Sequence, residues 1–236
     1  VVYSVALTYE VIKQIYDLNL MDLLFRAHSV HRKNFDPKEI QASTLLNIKT
    51  GGCPENCSYC PQSAHYNTGL KKEGLMSLDD ILEKAKIAKK NGATRFCVGT
   101  AWRTPPKKDL PHVAKVIEEI NKLGLESCAT LGMLNKDQAA LLKDSGLKYY
   151  NHNIDSSEEF YKKIISTRQY EDRLKTLENV REAGMKVCCG GIVGMGETKD
   201  DRINFLKQLV NLSVPPESVP INKLVPIKGT PLEKTK

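Results

Sequence analysis

The chain has 236 residues, 41% apolar and 27% charged, a composition that suits a soluble globular fold with enough length to bury a core as one domain. Its formal charge of +7, from 35 Lys and Arg against 28 Asp and Glu, does not mark a nucleic-acid binder, because lysines such as Lys84, Lys86, Lys89 and Lys90 are interleaved with acids on solvated faces. No apolar run approaches the roughly 18–20 residues of a membrane span, and Val1 to Leu7 lack the basic flank and long apolar stretch of a secretory signal. Neither nucleic acid nor membrane is expected as a partner, and the expected compartment is the cytoplasm.

Residues 8–30 read as one or two amphipathic helices whose apolar face is Leu18, Leu20, Leu23, Leu24 and Ala27. From Leu45 a unit recurs: a short apolar strand, a helix with capping signals, a glycine, and the next strand. Ser77 with Asp80 three residues on resembles a capping box, and Leu78, Ile81, Leu82, Ala85 and Ala88 supply the helical period. Gly92, Gly124, Gly146 and Gly184 close successive helices, as glycine commonly does. The strands expected are 45–49, 95–100, 126–131, 148–155, 186–193 and 218–225. Such alternation implies parallel pairing with right-handed crossovers. Periodicity alone leaves a doubly wound sheet and a (β/α) barrel equally open.

The densest chemical signal is the run Gly-Gly-Cys-Pro-Glu-Asn-Cys-Ser-Tyr-Cys-Pro at 51–61. It places Cys53, Cys57 and Cys60 in a C-x3-C-x2-C spacing, and Pro54 and Pro61 keep the segment out of a helix. Thiolates select iron–sulfur clusters, zinc or copper(I). Structural zinc takes four closed ligands, usually as two pairs, whereas here there is one triplet and the next cysteine is Cys97. A cubane cluster held by three cysteines keeps one iron open for chemistry. The alternative is a set of buried structural cysteines. Seven cysteines without a signal peptide point to metal or catalysis rather than disulfides.

Cys97, Cys128 and Cys188 each lie four or five residues after a helix-ending glycine, so in a barrel they would reach one level of the interior. Spacing alone leaves metal ligation and ordinary small-residue packing both open. Arg95 shares the face of Cys97 and either offsets cluster charge or lies at the surface. Cys189 faces the other way and reads as a packing residue. Asn151, Asn153 and Asp155 line one strand face. A polar face at the C-terminal tip of a barrel strand suggests a ligand site; the alternative is that this face meets solvent while His152 and Ile154 point inward. Gly194-x-Gly196 lacks the third glycine of a dinucleotide fingerprint, with Lys199 in its place, so a Rossmann reading is weak.

The triplet, with Tyr59 before its last cysteine, resembles the radical S-adenosylmethionine superfamily. The strings at 43–62, 149–155, 190–197 and 216–225 are similar to the biotin synthase family within it, so the resemblance covers nearly the whole chain. It implies a TIM-type barrel, of which about six of eight strands are present here. Residues 1–36 would be an N-terminal helical segment and 37–236 the barrel, with its C-terminal part beyond Lys236. It further implies a [4Fe–4S] cluster on Cys53, Cys57 and Cys60, and an auxiliary [2Fe–2S] cluster on Cys97, Cys128 and Cys188 plus an arginine from a later strand. Tyr59, Asp155, Arg173, Ile192 and Val225 would bind S-adenosylmethionine, with Asp155 on the ribose, Arg173 on the methionyl carboxylate and Ile192 on adenine. Asn151, Asn153 and Asn222 would bind dethiobiotin, the two last by its ureido ring. The glycines of 190–196 would let the backbone approach the ligand. The implied reaction is radical sulfur insertion giving biotin, with no side-chain acid or base. An external electron donor of flavodoxin or ferredoxin type and a homodimer are also implied. Lipoyl synthases and RNA methylthiolating enzymes would carry further cysteine motifs or a nucleic-acid-binding appendage. A non-enzymatic iron–sulfur or zinc protein would have no reason for Asn153, Asp155 and Asn222. A decayed, inactive copy is a third alternative. A chain ending at Lys236 is expected to be inactive and prone to aggregate.

Overall fold

The computed structural model describes residues 6–235; the readings that fall on Val1 to Val5 and on Lys236 lie outside the described residues. Two helices open the chain, α1 (Tyr9–Tyr16) and α2 (Leu20–Asn34), each begun by a side-chain cap from Thr8 or Asn19. The apolar face expected there is real in sequence but is not buried. Helix α2 buries no residue, and Leu20, Met21 and Phe25 are exposed.

The repeating unit then runs as expected: β1 (Ser43–Lys49), α3 (Leu78–Lys90), β2 (Arg95–Thr100), α4 (Leu110–Lys122), β3 (Glu126–Thr130), α5 (Lys136–Asp144), β4 (Tyr149–Asn151), α6 (Glu158–Ile164), α7 (Tyr170–Glu182), β5 (Lys186–Cys188), β6 (Gly191–Val193), α8 (Lys199–Val210) and β7 (Ile221–Lys223). Ser77 caps α3 by accepting from the Asp80 amide at 3.2 Å, and Gly92, Gly124, Gly146 and Gly184 all take positive φ after their helices. Strands β1 to β5 form one parallel sheet in the order β1-β2-β3-β4-β5. A doubly wound sheet would reverse its strand order at a switch point. Here each strand lies beside its predecessor, which is the winding of a (β/α) barrel.

One expected strand is broken. The strand expected at 186–193 is interrupted at Cys189 and Gly190, leaving β5 and β6, and β6 pairs in parallel with β7. Single bridges, Asp155 to Gly191 and Cys188 to Ser218, carry the circuit across the break. Two of the glycines of this motif are required by neighbouring backbone. A Cβ on Gly190 would lie 1.8 Å from the Pro220 carbonyl oxygen, and one on Gly191 2.2 Å from that of Asp155, so both positions admit a close approach of main chain.

Alternation along the strands sorts side chains into two sets. Phe96, Val98, Ala129, Leu131, Tyr150, Val187 and Cys189 join the main core against the helices, where Val113, Ile117, Leu142 and Val180 are fully buried. Cys97, Cys128, Tyr149 and Cys188 point the other way, into the interior of the circuit, and form a small cluster of their own. Among the described residues no helix is long and apolar enough to cross a membrane.

Candidate active site and metal centres

At the C-terminal ends of the strands a cavity of about 210 Å³ gathers the triplet loop and the polar strand tip. Its lining includes Cys53, Cys57, Tyr59 and Cys60 from the loop, Thr100 at the end of β2, Asn151, His152, Asn153 and Asp155 at and beyond β4, and Arg168 and Arg173. The sequence thus brings the first cysteine set and the expected polar face to one place. Thr100, His152, Glu55 and Arg168 belong to it as well, although no spacing rule singled them out.

The triplet loop is fixed by backbone bonds. Cys53 N donates to Gln62 O at 2.9 Å, Cys60 N to Cys57 O at 2.9 Å, and Ala64 N to Cys53 O at 2.7 Å. It is also stitched to the segment before α7. Ser58 N donates to Ile164 O at 2.9 Å, while Asn56 Oδ1 accepts from Ser166 N at 2.9 Å and Thr167 N at 3.2 Å. Buried Glu55 accepts from the Thr167 hydroxyl and lies 3.3 Å from Arg103 Nη1. Burial pushes the Cys57 thiol up to about 12 and raises Cys53 and Cys60 as well, so a metal that takes these sulfurs must displace protons.

Beyond β4 the strand alternation ends, and both Asn153 and His152 reach the cavity. Asn153 Oδ1 accepts from Gly190 N at 3.0 Å, which ties the two strands and leaves its amide N–H groups for other partners. His152 is buried; desolvation, with Arg173 and Arg168 nearby, lowers its pKa well below the ordinary imidazole value, so the ring is neutral. Asp155 takes φ 67° and pairs with Arg173 at 2.5 Å, both side chains being buried. The open alternative of a solvent-facing strand is therefore excluded: the polar groups face inward. Arg173 is buried too, although it stands on a helix.

Three of the four buried polar atoms that lack a hydrogen-bond partner among the described residues line this one cavity: Glu55 Oε1, Thr100 Oγ1 and His152 Nε2. Glu55 Oε1 lies 3.3 Å from Arg103 Nη1 but makes no hydrogen bond, so it holds a charge contact only. Buried polar atoms are normally paired, and their concentration here fits a polar ligand.

Three other expected site residues do not line the cavity. Ile192 and Asn222 are register partners on β6 and β7; Ile192 packs against the main core, Asn222 is exposed, and Val225 is 69% exposed. Glu197, at the end of the same motif, has a structural task. Its carboxylate accepts from Gly194 N and Met195 N, each at 2.7 Å, and pairs with Arg202 at 2.8 Å.

The second cysteine set is assembled on the inward faces of β2, β3 and β5 and does not line this cavity. Cys97 and Cys128 are register partners, Cys128 lies opposite Tyr149, and Cys188 lies opposite Asn151. A hydrogen bond from Cys128 lowers the Cys97 thiol and raises that of Cys128. Arg95 is buried rather than at the surface. It pairs with Glu126 at 2.6 Å and lies 3.7 Å from the centre of the Tyr149 ring, at the edge of the cysteine layer. Cys189 is wholly buried in the main core, as its facing implied.

Residues 47–209 match the family model of the radical SAM superfamily. A biotin synthase from Rickettsia felis is 59% identical over 226 residues, which are 96% of this chain and 73% of that protein. The chain belongs to the biotin synthase family of radical SAM proteins. A biotin synthase from Marinobacter nauticus is also 59% identical, over 94% of this chain, and here the chain spans 63% of the relative's length. One from Coxiella burnetii is 56% identical, over 95% of this chain and 70% of that protein. Solved structures share the fold at low identity. Methylornithine synthase (PylB) superposes with a TM-score of 0.81 at 18% identity, covering 99% of this chain and 69% of that one. The hydrogenase maturase HydG from Carboxydothermus hydrogenoformans gives 0.80 at 20%, covering 95% and 55%. The fold is the TIM-type barrel of radical SAM proteins.

Radical SAM membership implies a [4Fe–4S] cluster and S-adenosylmethionine. The residues present fit both groups. Three thiols on one short loop border the cavity, and among the described residues no three His, Cys, Asp or Glu side chains converge closely enough to share a single metal ion. A cubane takes one thiolate at each of three irons, so its ligands do not need to converge on one point. The unpartnered polar atoms beside the loop suit a polar cofactor.

Proposed function

We propose that the chain is the cluster-bearing part of a biotin synthase, and that its cavity binds S-adenosylmethionine and dethiobiotin together. The observation that carries this reading is the convergence of Cys53, Cys57 and Cys60 with Asn151, Asn153, Asp155 and Arg173 on one cavity. A cluster held by Cys53, Cys57 and Cys60, with S-adenosylmethionine beside it, would supply one-electron radical chemistry at unactivated carbons, a task beyond side-chain acid–base chemistry.

The chain's own groups position and exclude. Cys53, Cys57 and Cys60 would hold the cluster. Asp155 is the partner for the ribose hydroxyls and Arg173 for the methionyl carboxylate, and the short bond between these two side chains fixes both at the strand tip. Tyr59 on the triplet loop walls the cavity against water. Asn153 offers free amide N–H donors to a ureido carbonyl, and Asn151 extends the same face. Asn222, Ile192 and Val225 do not line this cavity, so their ligand roles rest on the family likeness alone. Cys97, Cys128 and Cys188 are proposed as ligands of the auxiliary [2Fe–2S] cluster and source of sulfur. An electron donor of flavodoxin or ferredoxin type, a homodimer, a cytoplasmic location and the division at residue 36 belong to the same proposal. The unburied face of α2 supports the last of these.

Dethiobiotin deuterated at the two carbons that receive sulfur tests the reading. Reconstituted, reduced protein should transfer deuterium to 5′-deoxyadenosine, read by mass spectrometry. Cleavage of S-adenosylmethionine with no deuterium in the product, at saturating dethiobiotin, would contradict it.

A further inference from the structure

Arg168 is 6% exposed, and among the described residues no carboxylate lies within ion-pair distance of it. Nearby carboxylates are committed elsewhere: Asp155 to Arg173 at 2.5 Å and Glu55 to Arg103 at 3.3 Å. An unpaired buried guanidinium is costly. Its protein contacts do not offset that cost, since Nε lies 3.4 Å from the Tyr161 hydroxyl and that oxygen also accepts from Arg173 Nε at 3.3 Å. The remaining contact is from Nη2 to Cys57 Sγ, at 3.9 Å. Its position is not accidental, because Ser166 and Thr167, just before it, are bonded through their amides to Asn56, just before Cys57.

We propose that Arg168 is the counter-charge of the cluster, donating from Nη2 to the Cys57 sulfur and setting the cluster's reduction potential. The inference rests on the triplet reading above. A cubane on three thiolates is an anion, and reduction adds a further negative charge. A fixed cation and an N–H donor at one ligand sulfur stabilise the reduced state more than the oxidised one, in a buried setting where charge interactions are strong. Arg168 is thus a positioning and tuning residue. It touches a cluster ligand and, through Tyr161, shares a hydroxyl with the Arg173–Asp155 pair. Arg173, the other arginine lining the cavity, is already ion-paired with Asp155.

The test is an EPR-monitored redox titration of the reconstituted chain, without S-adenosylmethionine, for wild type, Arg168→Met and Arg168→Lys. The methionine variant should titrate at a more negative potential than wild type, and the lysine variant, which keeps the charge but not the fork, should recover part of the shift. Equal potentials in all three, at equal iron content, would overturn the inference and leave the triplet reading intact. A wild-type chain that assembles no cluster would instead overturn the triplet reading, and this one with it. Where substitution prevents folding, the wild type decides alone. Guanidino-15N-arginine should give a 15N coupling in the electron-spin-echo spectrum of the reduced cluster, and its absence would overturn the assignment.

Discussion

Arg173 Nη2 lies 2.5 Å from Asp155 Oδ2, and the two side chains are 8% and 3% exposed. The pair joins α7 to the tip of the β4 segment at the one non-glycine residue with positive φ among the described residues. Two groups proposed to bind different parts of one cofactor are therefore also each other's support. Asp155→Ala should cost about 3–5 kcal/mol of folding stability, because it strands a buried guanidinium. Asp155→Ala with Arg173→Met should recover much of that loss. Chemical denaturation of the two variants checks this, and a double variant no more stable than the single one would show that the pair is not the source.

Asn153→Ala should weaken dethiobiotin binding more than S-adenosylmethionine binding, by about 1–3 kcal/mol, or one to two decades in affinity. Its Oδ1 is already bound to Gly190 N at 3.0 Å, so part of the effect will appear as lost stability. Equilibrium dialysis with each ligand separates the two contributions, and equal losses for both ligands would mean that the side chain only holds the strands together.

Cys128→Ala should remove the auxiliary cluster and leave the first one in place. Cys128 packs with Cys97, Tyr149 and Cys188 in a cluster distinct from the main core and does not line the cavity of the triplet. Iron content and the visible spectrum should fall by the auxiliary share only, with the EPR signal of the reduced cubane retained. Loss of both signals in a folded variant would contradict two separable centres.

The alternation of strands and helices, the capping residues and the common facing of Cys97, Cys128 and Cys188 were legible because each rests on local rules: a helix-ending glycine, a capping side chain, a two-residue strand period. The choice of a barrel over a doubly wound sheet came from the family likeness. The break at Cys189 and Gly190 was not, since it arises where the carbonyls of Pro220 and Asp155 crowd the backbone, a contact between distant segments. Arg168 was missed for the same reason. It lies in a loop with no periodic signal, and its meaning comes from Cys57, 111 residues away in sequence. The polar run at 151–155 faces inward, and His152, expected inward only in the rival arrangement, reaches the same cavity because β4 ends at Asn151 and alternation no longer holds past it. Asn222 was identified by likeness to the family, and the geometry leaves it exposed on β7.

Glu197 gives a pH dependence. Burial would raise its carboxyl, but the amides of Gly194 and Met195 and the Arg202 guanidinium outweigh burial and leave its pKa below the ordinary value of 4.5. A depressed carboxylate contributes stability above its unfolded pKa and loses that contribution as pH falls through the folded one. Glu197→Gln should therefore be less stable than wild type at pH 7, by about 1–3 kcal/mol for the charged hydrogen bonds. The difference should shrink as the pH is lowered below about 4.5. Urea unfolding across this range checks the sign; a gap that stayed constant with pH would remove the charge from the explanation.

The most direct test of the triplet as a cluster site with an open iron is EPR of the anaerobically reconstituted, reduced chain with and without S-adenosylmethionine, alongside Cys57→Ala. The wild type should show a reduced cubane signal that changes on adding S-adenosylmethionine, and Cys57→Ala should show no such change. Protein that binds only zinc, or a cluster signal indifferent to S-adenosylmethionine, would contradict it.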